Sequence, residues 1–229
     1  ISVTKTGGGN LTLGATNTYT GGTTVHAGNI NLTGTLANNA SAPITVNSGG
    51  TFTFGRSDTF GNHTANVVTP ITINAGGTVT NSGSFFNRLS TLTLNGGTLT
   101  STGGATQAGL DGPLAWALAG SVTVNSSTQS TISGTGNVML GSASVTGTTF
   151  NVSDGAAAID LLVSANLINS STSTWGTQQA SSFTQTGAGT ITLSGANKYT
   201  GSTTISSATL NLTGTLGNTS ASAGSYAGT

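Results

Sequence analysis

Charge is almost missing from this chain. Of 229 residues, four are Lys or Arg and four are Asp or Glu, so the formal net charge is zero. Phosphate recognition needs clustered cations, and Lys5, Arg56, Arg88 and Lys198 lie far apart in sequence, which excludes nucleic acid as a partner. Attachment to a membrane surface through a basic patch fails for the same reason. Cysteine is absent, so disulfides and thiolate chemistry are ruled out; this is compatible with an exported protein that is stable without crosslinks. The longest nearly apolar run, Leu114-Ala115-Trp116-Ala117-Leu118-Ala119, is far too short to span a bilayer. The sequence opens on Ile1 with no signal peptide ahead of it, which predicts a processed product or a piece of something longer. Aromatics are scarce at 5%, but an apolar fraction of 34% that largely alternates is not the composition of a disordered segment.

What is present in quantity is glycine, 36 residues of it, and a repeat. Thr6-Gly-Gly-Gly-Asn-Leu-Thr-Leu13, then Asn17-Thr-Tyr-Thr-Gly-Gly-Thr-Thr-Val25, then Asn31-Leu-Thr-Gly-Thr-Leu36 return as Thr186 to Leu193, Asn197 to Ile205 and Asn211 to Leu216. The offset is 180 positions throughout, without insertion or deletion. Full copies span about 3–38 and 183–218, and Tyr19 and Tyr199 are equivalent in them, which marks a structural corner. A short unit that cannot bury its own apolar face must stack on its neighbours.

A briefer motif fills the space between the copies: apolar, Thr, apolar, Asn, a small-residue corner, Thr. It occurs around Asn47, Asn74, Asn95 and Asn125, which are 27, 21 and 30 residues apart. A constant strand motif at variable spacing is what constant rungs with extruded loops produce. The recurring Asn reads as a turn residue or an amide ladder. The expected excursions are 55–66, 83–88, 106–120 and 169–179. Ala156 to Val163 fits a short helix or a buried strand, with strand favoured by its neighbours.

Together these patterns predict an all-β chain, a parallel β-helix (β-solenoid) running continuously through 1–229. At roughly 20 to 30 residues per turn it holds about eight to eleven turns, and a rod of about 40 to 55 Å follows from the strand spacing. Val, Ile and Leu would stack in a narrow interior, with Thr outside, where its hydroxyl meets water. A β-sandwich or barrel would also accept Gly-rich turns, but it does not predict a near-identical unit at both ends.

The string Thr186-Gly-Ala-Gly-Thr-Ile-Thr-Leu-Ser-Gly-Ala-Asn-Lys-Tyr-Thr-Gly-Ser-Thr-Thr-Ile205, continuing through Ala208-Thr-Leu-Asn-Leu-Thr-Gly214, resembles the autotransporter-associated β-strand repeat of bacterial passenger domains and very large surface proteins. Thr6 to Gly34 is similar to it nearly as closely. The resemblance implies a right-handed parallel β-helix exported to, or released from, the cell surface and associated with the outer membrane. It implies a stalk or secretion scaffold and defines no catalytic residues.

Chemistry has little to work with. Asp58, His63 and Arg56 form the densest ionisable cluster, which reads as a polar loop, since two ligand types do not close a metal site. Asp111, Asp154 and Asp160 are of the type that forms a glycosidase pair, yet none falls at the same position in neighbouring rungs. Asp154-Gly155 lacks the repeated signature of a calcium-binding β-helix. No catalytic residue, metal or cofactor is therefore expected, and a polysaccharide-degrading β-helix enzyme stands last among the readings. The aromatics Phe52, Phe54, Phe60, Phe85, Phe86, Trp116 and Trp175 lie chiefly near the excursions. Phe85, Phe86, Trp116 and Trp175 are candidate contact residues for a host-cell, matrix or glycan surface; the alternative is that the aromatics fill wide turns or cover the wall. The sequence thus describes an extracellular rod or stalk, adhesive through its loops. With no recognisable cap at either end, end-to-end assembly into a fibre is the second reading.

Overall fold

The computed structural model describes residues 1–61, 66–125, 127–172, 177–217 and 224–227. The chain is a right-handed parallel β-solenoid of nine rungs, within the expected range, built from two long sheets and a shorter third. Each rung contributes a strand to the first sheet, turns a glycine-containing corner, and contributes a strand to the second. The first sheet runs from Val3–Lys5 through Ile71–Asn74 and Leu92–Asn95 to Thr203–Ile205, and all its pairings are parallel. The second runs from Asn10–Leu13 through Gly50–Phe54 and Thr78–Asn81 to Thr209–Leu212.

Alternation sets the interior. In the second sheet Ile30, Phe52, Val79, Leu99, Ile132 and Val163 stack in register, one per rung, each fully buried. In the first sheet Val25, Val46, Ile73, Leu94, Val124 and Val152 do the same. Between them the outward residues are mostly threonine, which keeps strand propensity while meeting solvent.

Rung length varies along the rod, and most of the longer rungs also carry a strand of a third sheet. Val3 pairs with Thr23, 20 positions on, and Phe183 with Thr203, also 20 on, so both full repeats consist of short rungs. In the middle, Leu92 pairs with Val122, 30 on, and Thr148 with Phe183, 35 on. The longer rungs supply strands Leu114–Leu118, Asn137–Leu140 and Leu167–Ile168, which with Asn87–Leu89 from the 21-residue rung before them form a third parallel sheet. A three-sided cross-section is wider, and aromatics fill it. Phe54 meets Phe60 and Trp116 edge-on, with ring centroids 5.9 and 5.4 Å apart, while Phe150 stacks on Phe183 at 4.8 Å.

Three local readings need correction. The segment 106–120 is not wholly extruded, because Leu114–Leu118 is a fully buried strand of the third sheet. Ala156 to Val163 is strand only over Leu161–Val163; the preceding residues turn around Asp160. One end of the second sheet does carry a cover: Gly224–Ala227 pairs antiparallel with Thr209–Leu212.

Candidate contact surface on the third face

The third sheet is buried on both sides, which is unusual for an outer wall. Its inner side joins the main core, and its outer side carries a second apolar cluster of Phe86, Leu114, Ala117, Met139 and Ile168. The irregular segments cover that cluster. Ala105 and Leu114 exchange backbone hydrogen bonds of 2.9 Å, folding 105–113 back over the sheet. Gln178 Nε2 donates to Gly109 O at 3.1 Å, Lys198 Nζ to Asp111 O at 3.4 Å and Gln179 Nε2 to Ala143 O at 3.4 Å, so segments distant in sequence clasp one another. Asn169 holds the base of the clasp: its Oδ1 accepts from Ser181 N at 3.0 Å and from Thr200 N at 2.9 Å.

A depression bounded by Phe86, Arg88, Met139, Ser142 and Ser171 leaves no room for even a water molecule. Ligand pockets usually start at about 300 Å³, so neither a sugar ring nor a cofactor has a place there. Arg88 is 5% exposed, and burial pushes its guanidinium below the usual arginine range, with the Asp58 carboxylate acting in the opposite direction. Arg56 Nε donates to Ser57 O at 3.0 Å, and His63 lies outside the described residues. Among the described residues no group of three or more His, Cys, Asp or Glu is gathered as a metal would require. Asp160 is buried and committed to the backbone: Oδ1 accepts from Gly155 N at 2.9 Å and Oδ2 from Thr190 N at 2.8 Å.

The candidate contact aromatics separate. Trp116 is 0% exposed, points into the rod and donates from Nε1 to Thr100 O at 3.0 Å; it is a core residue. Phe86, 3% exposed, belongs to the covered cluster, so neither presents a contact surface. Phe52, Phe54 and Phe60 are likewise interior. Phe85 is half-buried, its carbonyl accepting from the Asn81 amide, and Trp175 lies outside the described residues. The reason is rung width: alternation shows which side chains point inward, but only the third sheet makes room for them.

The repeat-marking residues make the bonds that join rungs. Asn95 Nδ2 donates to Asn74 Oδ1 at 2.9 Å and Asn74 Nδ2 to Asn47 Oδ1 at 2.7 Å; Asn47 Nδ2 reaches His26 Nδ1 at 3.2 Å. Further along the corner Asn125 Oδ1 accepts from Ser153 Oγ at 2.9 Å. Tyr19 and Tyr199 bond Thr23 and Thr203 at 2.7 and 2.8 Å, the same contact in both copies. Sequence reasoning missed Asn17 and Asn197. Each donates from Nδ2 to the carbonyl two residues back and to a carbonyl one rung on, Thr35 O and Thr215 O, both at 3.0 Å. Their recurrence at the repeat offset was the available signal.

Compared with known proteins, the chain matches the family model of the passenger-associated-transport repeat over residues 3–32 and 183–212. No curated protein and no solved structure matches it.

Proposed function

Starting from a chain that carries a passenger-associated-transport repeat near each end of one solenoid, we propose that it serves as the extracellular rod of a bacterial surface or secreted protein, a stalk held at the outer membrane. The observation that carries this reading is continuity. The two matched repeats supply rungs one and two and rungs eight and nine of a single stack, and the rungs between them keep the same first and second sheets. Rung-by-rung stacking suits a passenger, because each turn can fold on the last as it emerges and needs no distant partner. Among the described residues no helix is long and apolar enough to cross a membrane.

An adhesive role, toward a host-cell, matrix or glycan surface, falls to the segments that clasp the third face, since they depart from the rod. Antibody labelling of intact cells producing the protein tests export. Signal on unpermeabilised cells that protease removes is the expected result, and signal only after permeabilisation overturns the proposal. End-to-end assembly is the weaker reading, because Gly224–Ala227 runs antiparallel over the edge that a parallel partner would need.

A further inference from the structure

The corner that carries the amide ladder is one residue short in its fifth rung. Between the first and second sheets rung three reads Asn47-Ser48-Gly49-Gly50 and rung four Asn74-Ala75-Gly76-Gly77, but rung five reads Asn95-Gly96-Gly97. Register fixes both ends of the corner: Asn95 lies beside Asn74 and Thr98 beside Thr78. The missing residue is therefore the spacer between the asparagine and the first glycine. That glycine stays in all three rungs because the turn needs its positive φ, which is 79° at Gly49, 72° at Gly76 and 82° at Gly96. Loss of the spacer sets a glycine directly after a ladder asparagine, and the chain has no other Asn-Gly pair.

We propose that Asn95-Gly96 is a site of spontaneous deamidation, held in check by the hydrogen bonds of its own corner. In the reaction Gly96 N attacks Asn95 Cγ, its proton passes through solvent to the side-chain amide, and the amide leaves as ammonia. The succinimide ring so formed takes up one water and opens as aspartate or isoaspartate. A Cβ on the following residue crowds the attack, and glycine has none. Asn47 and Asn74, followed by Ser48 and Ala75, thus hold the same place in the ladder without the same reactivity. Both reacting groups are engaged in the folded chain. Gly96 N donates to Ser130 Oγ of the next rung at 3.0 Å, and that hydroxyl is oriented by its own bond to Leu94 O at 3.4 Å. Asn95 Nδ2 donates to Asn74 Oδ1 at 2.9 Å. Ser130 is fully buried, while Asn95 and Gly96 are half-buried and within reach of water. Attack requires the corner to open between rungs five and six, so its rate follows that local opening. The product alters the ladder, because a carboxylate has no N–H to donate and would face Asn74 Oδ1 as a second acceptor. It also takes the formal net charge of the chain from zero to minus one.

Deamidation needs no export, and the purified full chain tests it. Samples are aged in mildly alkaline buffer, separated by isoelectric focusing and mapped by peptide mass spectrometry. An acidic band grows, and its new acid lies in the peptide containing Asn95, with Asn47 and Asn74 unchanged. Unfolding in guanidinium speeds the conversion at least about ten-fold by freeing both reacting groups. Ser130→Ala, checked for folding by circular dichroism, speeds it several-fold in the folded chain, as loss of one hydrogen bond does. Asn95→Gln abolishes the band. Conversion first at another asparagine, or a folded rate equal to that of the unfolded chain, overturns the proposal. So does a folded Ser130→Ala chain that ages at the wild-type rate.

Discussion

Trp116 shows how a single residue reads differently as sequence and as structure. Flanked by Leu and Ala in a break from threonine alternation, it suggested an exposed loop; in the fold it sits at the heart of the widened cross-section against Phe54. Replacing it with Ala should cost about 3–5 kcal/mol, the usual range for a buried aromatic, and should lower the thermal midpoint sharply. A midpoint within a degree or two of wild type would show that the interior is less well packed than its burial implies. Tyrosine governs the response to alkali. Burial raises the phenol of Tyr199, and that of the less buried Tyr19, while their bonds to Thr203 and Thr23 oppose the shift. The folded protein therefore holds these protons where the unfolded chain releases them. The stabilisation is complete below the unfolded value of about 10 and is lost as pH rises through the higher folded value. Denaturation midpoints should fall above that point, and Tyr199→Phe should reduce the slope; an identical alkaline slope in the variant would place its cause elsewhere.

At the scale of the element, the corner between the first and second sheets is where sequence was most informative. Asn47, Asn74 and Asn95 were visible because a solenoid repeats its corner while varying its loops, and the structure joins them in a one-directional amide ladder. Removing the middle member breaks bonds on both sides, so Asn74→Ala should cost about 1–2 kcal/mol at roughly 1 kcal/mol per hydrogen bond, as read by urea unfolding. A cost no greater than for an exposed Thr→Ala control would reduce the ladder to decoration. The glycine that follows is there for space. A Cβ on Gly77 would lie 2.6 Å from Val46 O of the previous rung, whereas one on Gly8, in the first rung, would meet nothing within 4 Å. Gly77→Ala should thus destabilise by about 1–3 kcal/mol, as overpacking does, and Gly8→Ala should be nearly neutral. The third sheet was the illegible element. Its strands share no motif, because they are buried on both sides by different segments, and a strand covered twice has no alternation to reveal it.

Across the whole molecule, stability in a solenoid is the sum of what each rung makes and what it shares with its neighbours. The duplicated repeat lets these contributions be separated within one chain. Rung eight repeats rung one at the 180-residue offset, yet its interior residues Phe183, Ile191 and Leu193 are fully buried beneath rung seven, while their counterparts Val3, Leu11 and Leu13 are only partly covered. Lys5 and Gln185 occupy the same position too but bond differently, Lys5 to Ala27 O and Gln185 to Gly189 O and Thr209 O. The two rungs share the strand and corner pattern, while one is stacked between neighbours on both sides and the other on one side only. If neighbour contacts dominate, amides of Ser182–Thr186 and Thr190–Leu193 should exchange with deuterium far more slowly than those of Val3–Lys5 and Asn10–Leu13. The slowest exchange should fall in the central rungs, where three sheets surround the core. Equal protection in the two copies would mean that each repeat is stable by its own local interactions, and the rod would then be a string of independent units rather than one cooperative stack.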